Sequence, residues 1–326
     1  MKKVLITGAT GFIGGALVKR LLKNKNYKII CLVRDLSKAA KLKELGAELV
    51  KWDMTDSQNV EDAMRNASIV IHLAAVLANK HASKTEMRAV NVDGTRNILK
   101  IAKLIGAKQF IFLSSALLSW HRSIDCPNEE SPVLPTTEYE KTKLEAERLV
   151  KSASSSEFQT TVMRPGVVYG PGGIGFSPLF KAVKTGKFFY VNNGSHIFEL
   201  TFIDDLIDVI LATIGNNSAY GETFIISEQN PKTFREFTEQ IARTIGVTPP
   251  KLSIPAPVFK IAWMFLYPLE LLGLPIPISE STFKTLTLRR VFDTTKAKKM
   301  LNYTARISLE EGVKQSVDYY KNIGIL

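Results

Sequence analysis

The chain has 326 residues, enough for one large α/β domain or two modest ones, and its 45% hydrophobic content is ordinary for a globular protein. Its 43 Lys and Arg outnumber 31 Asp and Glu for a formal net charge of +12, but the lysines are scattered with no aromatic-plus-basic stripe, so a solvated basic surface is expected and nucleic acid is excluded as a partner. Two cysteines, Cys31 and Cys126, form neither a metal spacing nor a disulfide framework, which points to a reducing compartment and a cytoplasmic protein.

The first element is a short apolar strand around Val4, Leu5 and Ile6 that runs into Gly8, Gly11 and Gly14 and then into a helical pattern with Ala16, Leu17, Leu21 and Leu22 on one face. Its apolar run is too short for a secretion signal and breaks at glycines. Gly8 lets the chain turn out of the strand, Gly11 lets backbone N–H groups approach a pyrophosphate, and Gly14 lets the helix pack against the sheet with its N-terminus facing the anion. The Gly-x-x-Gly-x-x-Gly spacing thus reads as a dinucleotide site, against the competing reading of a tight strand-to-helix turn in some other α/β protein.

Strand-like runs follow near 27–33, 47–50, 68–74, 108–114 and 158–164, with helix-period stretches near 12–24, 35–45, 56–66, 83–105 and 137–154. This alternation predicts an α/β fold of the Rossmann type, a doubly wound parallel sheet with helices on both faces. After Arg164-Pro165-Gly166 the pattern turns to Gly- and Pro-rich loops, shorter strands such as Thr223–Ile226 and a helix around Thr233–Ile245. The expected division is therefore a nucleotide-binding domain over 1–170, with a returning segment near 201–214, and a smaller C-terminal α/β substrate lobe over 171–326.

Within that lobe, 254–278 is the most apolar stretch, holding Trp263, Met264, Phe265, Leu266, Leu269, Leu271 and Leu272. Lys260, Glu270 and the prolines at 255, 257, 268, 275 and 277 exclude a membrane span, which needs about twenty unbroken apolar residues. Three readings stay open: core of the lobe, wall of a pocket for a greasy substrate, or peripheral contact with a bilayer.

Tyr139 and Lys143 stand at a predicted helix start, where Thr137 and Glu140 match a capping box after Pro135. They lie one turn apart on one face, so the ammonium is expected to lower the phenol's pKa and make Tyr139 a general acid/base. The strand before them, 108–115, ends in Ser114 and Ser115 at the carboxyl edge of the sheet, where ligands bind.

The combined pattern resembles the extended short-chain dehydrogenase/reductase family, also called the NAD(P)-dependent epimerase/dehydratase group. The resemblance rests on Thr7–Gly14, Asp53-Met54, His72–Ala75, Asn91–Asn97, Ser114-Ser115, Tyr139 with Lys143, and Arg164–Pro171. It implies that Ser115 hydrogen-bonds the reacting oxygen, with Ser114 the weaker candidate, that Tyr139 exchanges the proton, and that Lys143 tunes Tyr139 and holds the nicotinamide ribose. Gly8, Thr10, Gly11, Phe12, Ile13 and Gly14 would hold the pyrophosphate. Asp53 and Met54 would border the adenine, Leu73, Ala74 and Ala75 would pass under the pyrophosphate and ribose, and Pro165, Gly166, Val167 and Val168 would meet the carboxamide. Asn91 would either buttress the site or relay a proton.

Cofactor choice follows from the same resemblance. NAD-users of the family place an acid where Val33 stands; here Arg34 follows instead, with Lys38 one turn on, which suits a 2′-phosphate and favours NADP(H) over NAD(H). A register shift of two residues would bring Asp35 into the acidic position. For the substrate, the family's sugar-nucleotide enzymes carry an Asn and an Arg on the diphosphate where this chain has Val167 and Phe198. The C-terminal run Arg290–Tyr303 with Ser308–Gly312 is similar to the 3β-hydroxysteroid dehydrogenase and dihydroflavonol reductase branches. The resemblance therefore implies an oxidoreductase acting on a hydroxyl or ketone of a small lipophilic steroid-, isoprenoid- or polyketide-like substrate. Nucleotide-sugar epimerase or dehydratase chemistry and a non-catalytic NADP(H)-binding assembly subunit remain the alternatives, no metal is expected, and a homodimer is left open.

Overall fold

The structure, a computed structural model, describes residues 1–55, 64–77, 82–119, 124–228, 230–271, 274 and 280–326. Its strands in chain order are β1 (Lys2–Thr7), β2 (Tyr27–Val33), β3 (Glu48–Lys51), β4 (Ala67–His72), β5 (Gln109–Leu113), β6 (Gln159–Pro165), β7 (Val167–Tyr169), β8 (Tyr190–Val191), β9 (Leu200–Phe202), β10 (Thr223–Ile226) and β11 (Ser253–Ile254). Seven of them form one sheet in the order β10-β6-β5-β4-β1-β2-β3, every pairing parallel. Strands buried on both faces are apolar except where a polar group is hydrogen-bonded, and β5, Gln-Phe-Ile-Phe-Leu, is buried at all five positions, its Gln109 amide satisfied by the Thr213 carbonyl and the Gly215 amide. The strand order reverses between β1 and β4, which is where a doubly wound sheet opens a crevice at its carboxyl edge.

The chain divides into two compact units, and the sheet belongs to the one made of Met1–Gly166, Ile203–Ser227 and Phe292–Thr304. Thr223–Ile226, expected in the smaller lobe, is instead the edge strand β10 of this sheet. Thr223 pairs with Val162 and Ile226 with Pro165, and all four residues are buried. A four-residue apolar run carries no periodicity that names its partner; only β6 gives it a place. Phe292, from the third segment, packs on Ala116 and Ile225, and the Tyr303 hydroxyl donates to the Ser227 carbonyl at 3.1 Å.

Crossover handedness places helices on both faces. The Phe12–Leu22 helix packs on Ile203–Thr213, and Gly94–Leu104 packs on Glu138–Ser152. The stretch expected as one helix over 83–105 is three pieces, Lys84–Arg88, a π-helical turn at Ala89–Asp93, and Gly94–Leu104. The 35–45 stretch forms a tight turn at Ser37–Ala39 and a helix at Ala40–Glu44. Of the helix expected at 56–66, residues 56–63 lie outside the described residues.

The other unit comprises Val167–Phe202, Glu228–Val291 and Ala305–Leu326. It holds the strand pairs β7–β9 and β8–β11, with the Phe234–Ile245 helix packed on Leu309–Asn322. Its core is aromatic: Phe237 makes edge contacts with Tyr169, Phe176 and Phe180, and Phe198 lies against Phe234 and Phe237. The apolar stretch at 254–278 forms a helix, Ala256–Leu271, that buries Phe259 while Val258, Ile261, Met264, Phe265 and Leu269 stay exposed. The core reading therefore holds for one side of this helix only; Leu272 and the prolines at 275 and 277 lie outside the described residues.

The glycine turn supplies a sharp test of packing. A Cβ on Gly14 would stand 2.1 Å from the Gly8 carbonyl oxygen, a backbone atom that cannot give way, whereas one on Gly15 would meet its nearest neighbour at 3.6 Å. Gly14→Ala should cost about 3 kcal/mol or more through overpacking, while Gly15→Ala should be neutral or gain up to about 1 kcal/mol of helix propensity. Urea denaturation of the two variants checks this; equal midpoints would show that the close approach is absent.

Candidate active site

The glycine turn is built for an anion. Gly8 takes a left-handed φ of 72°, and a Cβ there would lie 2.7 Å from the Ala74 amide, so the β1 and β4 loops approach as closely as backbones can. Gly11 caps the Phe12–Leu22 helix, no side chain closes that end, and no acid stands in its first turn. The first helical amides have no intrahelical acceptor and carry the positive end of the helix dipole. Thr10 and Gly11 are exposed, Phe12 and Ile13 half-buried. These residues fit a pyrophosphate.

Arg34, Asp35 and Lys38 are exposed just beyond the carboxyl end of β2, and Val33 is buried. Asp35 is turned onto its own following turn: its Oδ1 accepts from the Ser37 amide at 2.9 Å and the Ser37 hydroxyl at 2.6 Å, bonds that hold its carboxyl below the usual range. Asp53, after the neighbouring β3, accepts from the Thr55 amide and hydroxyl at 2.9 and 2.8 Å; these and the nearby Arg34 charge lower its pKa against the effect of burial. Met54 is buried against Gly94, and its carbonyl accepts from Asn97 Nδ2 at 2.8 Å.

Between β1 and β4 runs a polar chain whose direction can be assigned from its ends. The Ala74 amide donates to Thr7 Oγ1 at 3.2 Å, and Thr7 Oγ1 lies 2.6 Å from His72 Nδ1. On the other side His72 Nε2 lies 3.0 Å from Thr95 Oγ1, whose own proton goes to the Asn91 carbonyl at 2.6 Å. Thr95 must therefore accept from His72, so Nε2 carries the proton and Nδ1 accepts from Thr7. Burial, together with the Lys143 charge, pushes the imidazole down to about 3, so it stays neutral. Asn91, in the π-helical turn, accepts from the Val76 amide at 2.7 Å and donates to the Val76 carbonyl at 3.0 Å and to Thr142 Oγ1 at 3.1 Å. It thereby ties the loop holding Leu73, Ala74 and Ala75 to the helix that carries Tyr139.

That helix, Glu138–Ser152, starts with the expected capping box: Thr137 accepts from the Glu140 amide while Glu140 accepts from the Thr137 amide. Lys143 points inward, donates to the Leu113 carbonyl at 2.6 Å at the end of β5, and stands 4.2 Å from the centre of the Phe112 ring. Desolvation pushes its ammonium down to about 7, against the pull of Glu147. Tyr139 is half-buried, and its crowded phenol is pushed up to about 12 by desolvation and then by the Glu140 charge. The lowering expected from Lys143 is thus overturned: desolvation and the Glu140 carboxylate, which both favour the neutral phenol, set the direction.

The two serines after β5 are told apart by their protons. Ser114 is buried and its hydroxyl donates to Glu147 Oε2 at 2.8 Å. Ser115 accepts from the Leu117 amide at 3.3 Å, which leaves its proton uncommitted in that contact. Glu147 also binds Arg164 through Nε at 3.0 Å and Nη2 at 2.6 Å, and Arg164 Nη1 reaches Ser119 Oγ at 2.8 Å. Burial would raise the Glu147 carboxyl, but Arg164 and then Lys151 hold it below the usual range. Thr7, His72, Thr95, Glu147 and Arg164 hold these networks together without having been singled out individually; for Thr7, His72 and Arg164 a polar side chain inside an otherwise apolar strand was the available signal, whereas Thr95 and Glu147 lie on helices where a polar residue is ordinary.

Pro165 ends β6, and the Gly166 amide donates to the Ile226 carbonyl at 2.8 Å. Val167 and Val168 open β7, in the other unit. Phe198, also there, is only 2% exposed. The expectation that it lines an apolar pocket is corrected by this burial, since its ring fills the aromatic core.

The model of the family described as NAD dependent epimerase/dehydratase matches residues 4–227. Among curated proteins, a 3beta-hydroxysteroid-dehydrogenase/decarboxylase (isoform 2) of Arabidopsis thaliana is 26% identical over 353 aligned positions, covering 98% of this chain; the chain spans 62% of that relative's length. A UDP-glucose 4-epimerase of Vibrio cholerae is 29% identical over 330 positions, covering 98% of this chain and 95% of its own. The crystal structure of UDP-glucuronic acid 4-epimerase from Bacillus cereus in complex with NAD superposes with a TM-score of 0.79 at 21% identity, covering 98% of this chain and 99% of that one, a likeness of fold.

Lys143 gives the site a pH signature. Because burial lowers its pKa from 10.5 to about 7, the unfolded chain binds the extra proton between those values, so stability rises with pH from about 7 upward. Cys31, raised by burial from 9.0 to about 12, keeps its proton in the fold while the unfolded chain loses it, so the rise should flatten above about 9. Tyr139 then turns the curve down above its ordinary value near 10. Denaturation midpoints across this range should trace that dome, and Lys143→Met should remove the rising limb. An unchanged slope in the variant would place the effect elsewhere.

Proposed function

The chain belongs to the NAD dependent epimerase/dehydratase family, NAD(P)-dependent oxidoreductases of the extended short-chain dehydrogenase/reductase type, and from that premise we propose that it interconverts a hydroxyl and a ketone on a lipophilic compound with NADP(H). The observation that carries the reaction is the carboxyl edge of β5, where Lys143 is pinned to the Leu113 carbonyl, Ser115 keeps its proton for a ligand, and Tyr139 stands one helical turn before Lys143.

NADP(H), when bound, supplies or accepts the hydride. Ser115 Oγ donates a hydrogen bond to the substrate oxygen and orients it. In reduction the Tyr139 hydroxyl gives its proton to that oxygen as the carbonyl becomes a hydroxyl, and a phenol held up at about 12 is in the protonated form this direction needs. The phenolate left behind takes its proton back from solvent, which reaches the half-buried Tyr139, and Lys143 offers a donor to the nicotinamide ribose. Asn91 holds the loop beneath the cofactor at a fixed distance from the Tyr139 helix.

NADP(H) over NAD(H) is supported by Arg34 and Lys38 beyond β2 and by Asp35, whose Oδ1 is spent on Ser37. A steroid-, isoprenoid- or polyketide-like substrate is supported by Val167, apolar where sugar-nucleotide enzymes of the family hold a diphosphate, and by position 198, where their Arg is replaced by a Phe whose ring lies in the aromatic core. The nucleotide-sugar reading has one observation in its favour: the Arg290 guanidinium lies 5.8 Å from the centre of the Phe198 ring, which brings a cation back to that position. The buried Cys31 thiol, which is in no disulfide, is compatible with the cytoplasm.

NADPH should bind more tightly than NADH, and Arg34→Ala should weaken NADPH by roughly ten- to a hundredfold while leaving NADH nearly unchanged; nicotinamide fluorescence titration reads both, and equal losses would remove Arg34 from the 2′ position. Tyr139→Phe should abolish turnover while cofactor binding survives. With lipophilic ketones the protein should consume NADPH absorbance stoichiometrically. An epimerase returns its hydride each turnover and shows no net change, so a melting shift with a uridine diphosphate, together with silence toward every lipophilic ketone, would replace this reading by sugar-nucleotide chemistry.

A further inference from the structure

The Ala256–Leu271 helix has two faces that differ in what covers them. On one, Phe259 and Trp263 stack on Phe283 with ring centres at 5.8 and 4.5 Å, Phe189 reaches Phe259 at 6.0 Å, and Tyr267 closes on Trp263 at 4.9 Å. These contacts follow the four-residue spacing of a single helical stripe. The opposite face carries Val258, Ile261, Met264, Phe265 and Leu269, all exposed, with Phe265 at 79%. Spaced at three and four residues, they make a second stripe that is apolar along its length, and exposed Leu252 and Leu274 extend it past both ends of the helix.

The surroundings of this stripe are basic. Lys260 lies exposed at its margin, and Lys251 is exposed beside Leu252 in the segment that leads into the helix. Glu270 is the one acid in the helix sequence, and the whole chain carries +12. A greasy stripe with a cationic rim on a strongly cationic protein matches the interface of an anionic bilayer, where apolar side chains enter the acyl boundary and lysines meet the headgroups. No described helix is long and apolar enough to cross a membrane. A second copy fits poorly, because pairing the stripe with itself would bring like-charged rims together. Its area is also small: a 16-residue helix is roughly 24 Å long, and a face about 10 Å wide offers roughly 240 Å² against the ~800 Å² per partner of a stable dimer.

We propose that this protein docks on anionic lipid bilayers through the exposed face of the Ala256–Leu271 helix, lying in the interface with Phe265 and Ile261 inserted. The inference does not depend on the substrate reading.

Flotation of the full chain with vesicles of phosphatidylcholine alone, and of phosphatidylcholine mixed equally with phosphatidylglycerol, tests it. The chain should float with the mixed vesicles and much less with the neutral ones, and added salt should weaken binding. Ile261→Ser/Phe265→Ser should weaken binding about tenfold or more, with circular dichroism, melting temperature and NADPH binding at wild-type values because both side chains face outward. Lys260→Glu should weaken binding to the mixed vesicles and reduce its salt dependence. Failure to float with mixed vesicles at low salt would overturn the proposal. So would flotation that survives the double substitution, or a dimer in sedimentation velocity that those substitutions dissolve while flotation is unchanged.

Discussion

The carboxyl edge of β5, with Ser115, Tyr139 and Lys143, depends on one buried carboxylate. Glu147 gathers the Ser114 hydroxyl, two nitrogens of Arg164 and the Lys151 ammonium, and so joins β5, β6 and the Glu138–Ser152 helix at a single point. Isolated charges in such a place are costly, and the pair is tolerable because its geometry is bidentate and most of its lone pairs are filled. Apolar side chains of the same volume could fill the space, but they would not fix rotation about the helix axis. With Glu147 held, Lys143 one turn earlier is aimed at the Leu113 carbonyl, and Tyr139 a further turn back is carried to the same edge. Committing Ser114 to Glu147 likewise leaves its neighbour as the serine with a proton to offer.

A second buried network does comparable work between β1 and β4. The chain from Ala74 through Thr7, His72 and Thr95 to Asn91 crosses β1, β4 and the π-helical turn with every hydrogen bond running in a consistent direction. A neutral imidazole is suited to this because it donates at one nitrogen and accepts at the other; a charged one would have to donate at both. The π-helical turn has a local reason. It widens the helix where Asn91 must reach the Val76 backbone, and it precedes Gly94, whose missing Cβ admits Met54.

What could be read in the sequence was whatever is encoded locally. The glycine spacing, the alternation of apolar runs with helical periods, the capping box at Thr137 and the one-turn spacing of Tyr139 and Lys143 each depend on residues a few positions apart, and the structure has them where they were expected. The return of Thr223–Ile226 to the sheet and the burial of Phe198 depend on neighbours that are far away in the chain, and the upward push on Tyr139 depends first on its desolvation in the fold. No periodicity reports such neighbours. The apolar run at 256–271 was legible as greasy but not as two-faced, since nearly every position is apolar and only the aromatic partners at Phe189 and Phe283 distinguish the covered side.

The sheet-bearing unit is assembled from three stretches of chain, the last ending at Thr304. During synthesis β1 to β6 therefore emerge well before their edge is finished: the hydrogen-bonding side of β6 that will receive β10 stays open until some sixty further residues have been made, as counted from Pro165 to Thr223. An unpaired parallel edge is a template for another nascent chain. Most of the interval, residues 167–202, belongs to the other unit, so the ribosome delivers part of one unit between two stretches of the other. Closing the sheet is consequently a late, long-range event, completed only after the chain of the other six strands has been made.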